Sequence, residues 1–162
     1  MRVLSRISII LAPLALLGAF APAAVAAPAT SEAITFNWQI DSFPSHAPYD
    51  GTASGSFSAS GTFTDSGSMS VAYHLGAVAS PTVGVLHTER TLIGEAGTIT
   101  LRCNQLATDF SNPAAVPNSG NCTVIEGTGA YAGLHGEGKI TGVFNLSTLP
   151  ATATDMLQLE IH

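Results

Sequence analysis

The chain reads as all-β, built from eight short strands, on three observations. Apolar residues recur at every second position in segment after segment. Clusters of Gly, Pro, Asn, Asp and Ser separate those segments at short intervals, the punctuation of turns. No stretch of the mature chain carries a convincing amphipathic helical stripe, and no internal repeat recurs at a fixed period. Eight strands that are apolar on one face can close into a barrel whose lumen is filled by side chains or holds a small ligand. A two-sheet β-sandwich is the runner-up, because strand count alone does not separate the two.

The N-terminal segment is not part of that domain. Met1-Arg2 and Arg6 precede an apolar run from Ile7 to Phe20, followed by Ala24-Val25-Ala26, so residues 1–26 read as a secretory signal peptide. Cleavage there leaves 136 residues of the 162, enough for one domain with one core. Residues 27–33 read as a flexible N-terminal segment, and 34–162 as a single β-barrel domain. The formal charge moves from −6 to −8 on cleavage, with Arg90, Arg102 and Lys139 the remaining fixed cations. So little positive charge cannot neutralise a phosphate backbone, which excludes nucleic acid and anionic membrane as partners; no later segment is long and apolar enough for membrane insertion.

In chain order, Ile34, Phe36, Trp38 and Ile40 alternate with Thr35, Asn37 and Gln39, placing the aromatics on the inward face of the first strand. Pro44, Pro48 and Asp50-Gly51 make residues 41–51 a loop. A hairpin follows from Ala53 to Leu75, with Phe57 and Phe63 on its first arm, a turn at Asp65-Ser66-Gly67, and Met69, Val71, Tyr73 and Leu75 on its second. After Pro81, Val83, Val85, His87, Glu89, Thr91 and Ile93 share one face and Leu86, Thr88, Arg90 and Leu92 the other. Neither face is cleanly apolar, so the sequence does not settle the register of residues 83–93.

Gly94 to Gly97 turns the chain into Ile99, Leu101 and Cys103. Residues 104–121 lack periodicity and contain Pro113 and Pro117, so they read as a long loop. Cys103 and Cys122 bracket it, and a disulfide is the expectation for two cysteines in an exported chain. Chain entropy assigns such a bridge about 3 kcal/mol. A catalytic thiol or a metal pair is disfavoured by their distance in sequence and the lack of a clear histidine partner. Ile140, Gly142, Phe144 and Leu146 make the seventh strand, Pro150 ends it, and Met156 to Ile161 makes the eighth.

Between the sixth strand, Cys122 to Glu126, and the seventh lies Gly127-Thr128-Gly129-Ala130-Tyr131-Ala132-Gly133-Leu134-His135-Gly136-Glu137-Gly138. Five glycines in these twelve residues mark sharply turning or closely packed backbone, with about one helical turn carrying Tyr131 inward. A dinucleotide-binding reading of Gly127-x-Gly129-x-x-Ala132 fails, because Gly133, Gly136 and Gly138 break the long helix it requires and position 147 is serine rather than an acid.

The pattern Gly127-Thr128-Gly129-x-Tyr131-x-Gly133-x-x-Gly136, followed by Lys139-Ile140, resembles the corresponding stretch of allene oxide cyclases. Dirigent proteins and secreted bacterial families of unknown function carry similar glycine-rich stretches. The resemblance covers about a tenth of the chain and implies an eight-stranded antiparallel barrel that binds or guides a small apolar molecule without a cofactor. It also implies homo-oligomers, since those proteins tend to form trimers. Laid on the plant cyclase, the catalytic carboxylate falls on Gln39, its neighbouring asparagine on Asp41 and the loop proline on Pro48. Glutamine cannot supply the negative charge, so the cyclase reaction is not transferred.

For chemistry, His87 and Glu89 lie two apart on one strand face and could act as an acid/base pair or as two metal ligands, with Tyr73 assisting; an outward, solvated face is the favoured reading. No metal is expected, and the paired-histidine motif of cupins is absent, His87 being followed by Thr88 and Glu89. Phe36, Trp38 and Tyr73 are the candidates to line the lumen. Three readings follow: a secreted barrel binding a small apolar molecule, a cofactor-free cyclase or isomerase acting in the lumen, and an extracellular protein-interaction module with a filled barrel.

Overall fold

The computed structural model describes residues 30–43, 49–76 and 83–162. Eight strands follow one another: β1 (Thr30–Ser42), β2 (Tyr49–Gly61), β3 (Asp65–Leu75), β4 (Val83–Gly94), β5 (Thr98–Thr108), β6 (Val116–Gly127), β7 (Gly136–Asn145) and β8 (Thr152–Ile161). Each pairs antiparallel with its sequence neighbours, and β8 returns to β1, so the sheet is a closed up-and-down barrel with no free edge. The sandwich alternative is thereby set aside. Period-two alternation sends Ile34, Phe36, Leu101, Ile140, Leu157 and Leu159 into the fully buried core, while serines and threonines of β2 and β3 face out.

Several boundaries differ from the sequence expectation, most of them because polar residues occupy inward positions and disguise the alternation. β1 begins at Thr30 rather than Ile34, so residues 30–33 are not a flexible segment; Glu32 pairs with Leu159 and Gly61 and is fully buried. The first hairpin turns at Thr62–Thr64, and Asp65 is the buried first residue of β3 rather than part of the turn. Asp50 and Gly51 pair with His74 and Tyr73 as part of β2. Residues 104–121 are not a long loop, because β5 and β6 form a hairpin whose connection spans only 109–115. Its inward row includes Gln105, Ala107, Val116 and Asn118, half of it polar. β8 begins at Thr152, with Asp155 pointing inward. The signal-peptide assignment, Pro44, Pro48 and Pro81 fall outside the described residues.

Cys103 and Cys122 sit directly opposite each other on β5 and β6 and are bonded, both buried inside the barrel. The bridge therefore crosses two paired strands rather than tying the base of an excursion.

Candidate ligand-binding site

The connections divide between two ends of the barrel. One end carries residues 62–64, 95–97 and 128–135 together with the outer ends of β1 and β8; the other carries the β1–β2, β3–β4, β5–β6 and β7–β8 connections.

The first end is plugged. A single 3₁₀ turn at Gly129–Tyr131 carries Tyr131 inward, where its ring packs on Phe63 at 4.9 Å. The Tyr131 hydroxyl donates to Asp65 Oδ2 at 2.6 Å, and Asp65 Oδ1 also accepts the backbone N–H groups of Ser66 and Glu95. Those bonds, that of Tyr131 foremost, hold the Asp65 carboxyl below its ordinary range, while burial and then Asp65 push the Tyr131 phenol well above its own. Glu32 Oε2 accepts from Phe63 N–H at 3.1 Å, but Oε1 has no partner among the described residues, and burial pushes this carboxyl up. Gly129 makes the turn feasible: its φ of +60° is left-handed, and a Cβ there would meet the Ala96 carbonyl oxygen at 2.5 Å. Gly127 and Gly136 lie at the strand ends on either side, as the glycine-rich pattern predicts, and Gly133 has a φ of +78°.

Halfway along the barrel lies a polar belt that sequence reading missed. Arg90 of β4 is fully buried; its Nη2 donates to Asp155 Oδ2 at 2.8 Å and to Gln105 Oε1 at 2.6 Å, and its Nε to Thr88 Oγ1 at 3.2 Å. Gln105 Nε2 donates to Asn118 Oδ1 at 2.6 Å, and Asn118 Nδ2 donates to Asp155 Oδ1 at 3.1 Å, closing a ring across β4, β5, β6 and β8. Trp38 Nε1 donates to Asp155 Oδ2 at 2.9 Å, joining β1 to it. The guanidinium carbon lies 5.0 Å from the centre of the Phe36 ring and 5.3 Å from that of Trp38. Burial pushes the Arg90 pKa down and Asp155 pulls it back up; an arginine so paired stays charged. The one hint in the sequence was the mixed face Leu86, Thr88, Arg90, Leu92, in which an arginine alternates in phase with leucines.

Beyond the belt, toward the second end, is a cavity of about 190 Å³. Trp38, Tyr73, Leu86, Ala107 and Phe144 form its walls, with Phe43, Phe110 and Leu146 at the rim, and its lining presents no polar surface. Both polar handles in the wall are turned away, the Trp38 N–H to Asp155 and the Tyr73 hydroxyl to the Ser42 carbonyl. Burial pushes the Tyr73 phenol up. Phe144 meets Trp38 edge to face at 5.7 Å, which fixes both rings. The rim is tied by Leu146 N–H to the Pro113 carbonyl at 2.7 Å and by Ile40 N–H to the Ala151 carbonyl at 2.9 Å.

Of the residues singled out for the lumen, Trp38 and Tyr73 line the cavity, and Phe36 lies beneath it, against Arg90. His87 and Glu89 are not with them: both are exposed on the outer wall, where Glu89 approaches Arg102 at 3.7 Å. The structure thus separates the three residues considered for acid/base chemistry, leaving only Tyr73 inside. Comparison of the chain with protein-family models, with curated proteins and with solved structures finds no match in any of the three.

Proposed function

We propose that this protein is a secreted barrel of the allene oxide cyclase and dirigent kind that takes up a small apolar molecule in the end of its lumen, without a cofactor. The reading is carried by one observation, the wholly apolar cavity of about 190 Å³ between the polar belt and the rim. A cavity of about 150 Å³ lined by Leu, Ile and Phe stays dry and accepts benzene, whereas drug-sized ligands occupy roughly 300–1,000 Å³. The occupant is therefore a single ring or a short branched hydrocarbon, or one such part of a longer molecule. Binding is favoured over turnover because the only hydroxyl in the described lining, that of Tyr73, is already bonded to backbone, and His87 and Glu89 face away.

The test uses Trp38, the only tryptophan in the chain and a wall of the cavity. Titration with monocyclic aromatics and monoterpenes is expected to change its emission saturably and to raise Tm; a ligand at a hundred times its Kd stabilises by about 2.7 kcal/mol. Blue-shifted native emission indifferent to the whole panel would count against ligand binding and favour the interaction-module reading.

A further inference from the structure

The outer wall of β2 to β5 carries four polar side chains in one continuous register that the lumen does not use. Asp50 lies opposite His74, His74 opposite His87, and His87 opposite Asn104. All four are exposed. Nδ1 of His74 is 2.6 Å from Asp50 Oδ1, and Nδ1 of His87 is 2.5 Å from Asn104 Oδ1. Carboxylate and amide oxygens only accept hydrogen bonds, so each Nδ1 bears the hydrogen and each neutral ring keeps its lone pair on Nε2.

Asp50 and Asn104 flank the pair from opposite sides, on β2 and β5, so the two Nδ1 edges turn apart. Nε2 lies across the ring from Nδ1, on the side of each ring that Asp50 and Asn104 leave free. The ring centres are 6.3 Å apart and the planes differ by 23°. An oxygen acceptor behind Nδ1 with Nε2 left free is the arrangement that orients imidazole toward a metal ion.

We propose that His74 and His87 form a two-histidine site for a divalent transition metal of the Zn²⁺ or Cu²⁺ class on the outer wall of the barrel. Metal–nitrogen bonds of about 2.0–2.1 Å require the two Nε2 atoms to lie within about 4.2 Å of each other, a separation that two exposed imidazoles with centres 6.3 Å apart reach by side-chain rotation. Among the described residues no group of three His, Cys, Asp or Glu gathers around one point. The chain therefore supplies two ligands, and water completes the shell, an open site rather than a closed structural one. Paired imidazoles select Zn²⁺ and Cu²⁺ over Ca²⁺ and Mg²⁺, which want oxygen. The site departs from the sequence expectation of a metal-free protein, which paired His87 with Glu89 along one strand and overlooked His74 across the ladder.

The test is titration of the mature chain with Zn²⁺ by calorimetry and with Cu²⁺ by electron paramagnetic resonance. One Cu²⁺ coupled to two nitrogens is expected, with His74→Asn and His87→Asn each weakening both metals at least tenfold and leaving a single coupled nitrogen. The same loss is not expected from His135→Asn, which removes a histidine in the glycine-rich junction, away from the pair. Far-ultraviolet circular dichroism and metal-free Tm should match wild type in all three variants, since the changed side chains are exposed. Absence of binding by wild type, or binding that survives both the His74 and the His87 substitutions, overturns the proposal.

Discussion

At the plugged end, Tyr131, Phe63, Asp65 and Glu32 fill the lumen with rings and carboxylates held by backbone N–H groups. At the other end, Trp38, Tyr73, Leu86 and Phe144 surround space. The strands are of the same kind in both places, so the difference comes from the connections. The plugged end contributes an eight-residue segment, 128–135, whose turn at the left-handed Gly129 buries the Tyr131 ring against Phe63. The polar atoms of the cavity walls are instead drawn into the belt and the backbone. A barrel can thus keep a ligand-sized void at one end while side chains and a polar belt fill the rest of its interior.

The largest effect should come from the belt that both ends share. Removing one member of a buried ion pair leaves the other charge uncompensated, a cost of about 3–5 kcal/mol. Arg90→Ala and Asp155→Ala should each lower stability by that much in urea unfolding, and Asp155→Ala also frees the Trp38 N–H that fixes the cavity wall. The double variant Arg90→Met, Asp155→Leu should recover part of the loss, but not all, because Trp38 and Asn118 still lose their acceptor. Single variants as stable as wild type would show that the belt contributes nothing to the comparison between the ends.

Next in size is the backbone of the plug. Gly129→Val combines left-handed strain with a collision against the Ala96 carbonyl, which itself accepts the Ala130 N–H, and should cost about 3 kcal/mol. Gly133→Ala is the contrast, because no atom lies within 4 Å of the added Cβ; it should cost about 1 kcal/mol, from strain alone. Equal losses at the two glycines would mean that close packing of the plug is irrelevant.

These two experiments touch what was legible in the sequence and what was not. The eight strands and the inward Trp38 followed from alternation, and the plug from glycine spacing, because each signal lies within a dozen residues; alternation did not separate a barrel from a sandwich, because closure is a contact between the two ends of the chain. Arg90, Asp155, Gln105 and Asn118 were illegible. Each finds its main partners on other strands, so alone it looks like a surface residue or a turn. The same blindness moved the start of β1 past Glu32 and opened a loop at Asn104. The pairing of His74 with His87 was hidden likewise, since cross-strand register is a product of closure and not of local pattern.

The carboxylates of the plug should then titrate with opposite signs. Asp65, whose pKa is lowered chiefly by the Tyr131 hydroxyl, stabilises the fold above its unfolded value of 3.8, and that contribution is lost as the pH falls through the folded pKa. Tyr131→Phe should therefore cost about 1.5–3 kcal/mol at pH 7, a charge-assisted hydrogen bond, and progressively less in acid. Glu32, raised by burial, favours folding when protonated, and this advantage fades as the pH rises from 4.5 toward its folded pKa. Glu32→Gln should accordingly raise Tm at pH 7 relative to wild type and lose that advantage at pH 4. Parallel shifts in both variants across this range would refute the assignment of opposite roles.

The smallest effect on stability should come from the cavity itself. Ala107 lies in its wall on β5, and Ala107→Leu adds three carbons to space that is already apolar and about 190 Å³ in volume. Burying added methylenes contributes about 0.8 kcal/mol each, and overpacking costs about 1–3 kcal/mol, so the two nearly cancel and Tm should move by no more than a few degrees. Ligand uptake should respond quite differently, because the new side chain occupies the volume that a single ring would need. A saturable Trp38 response in wild type that disappears in Ala107→Leu, with Tm nearly unchanged, places the ligand in this cavity. A response that persists at full amplitude would move the binding event elsewhere on the barrel, and the difference between the two ends would then be one of packing alone.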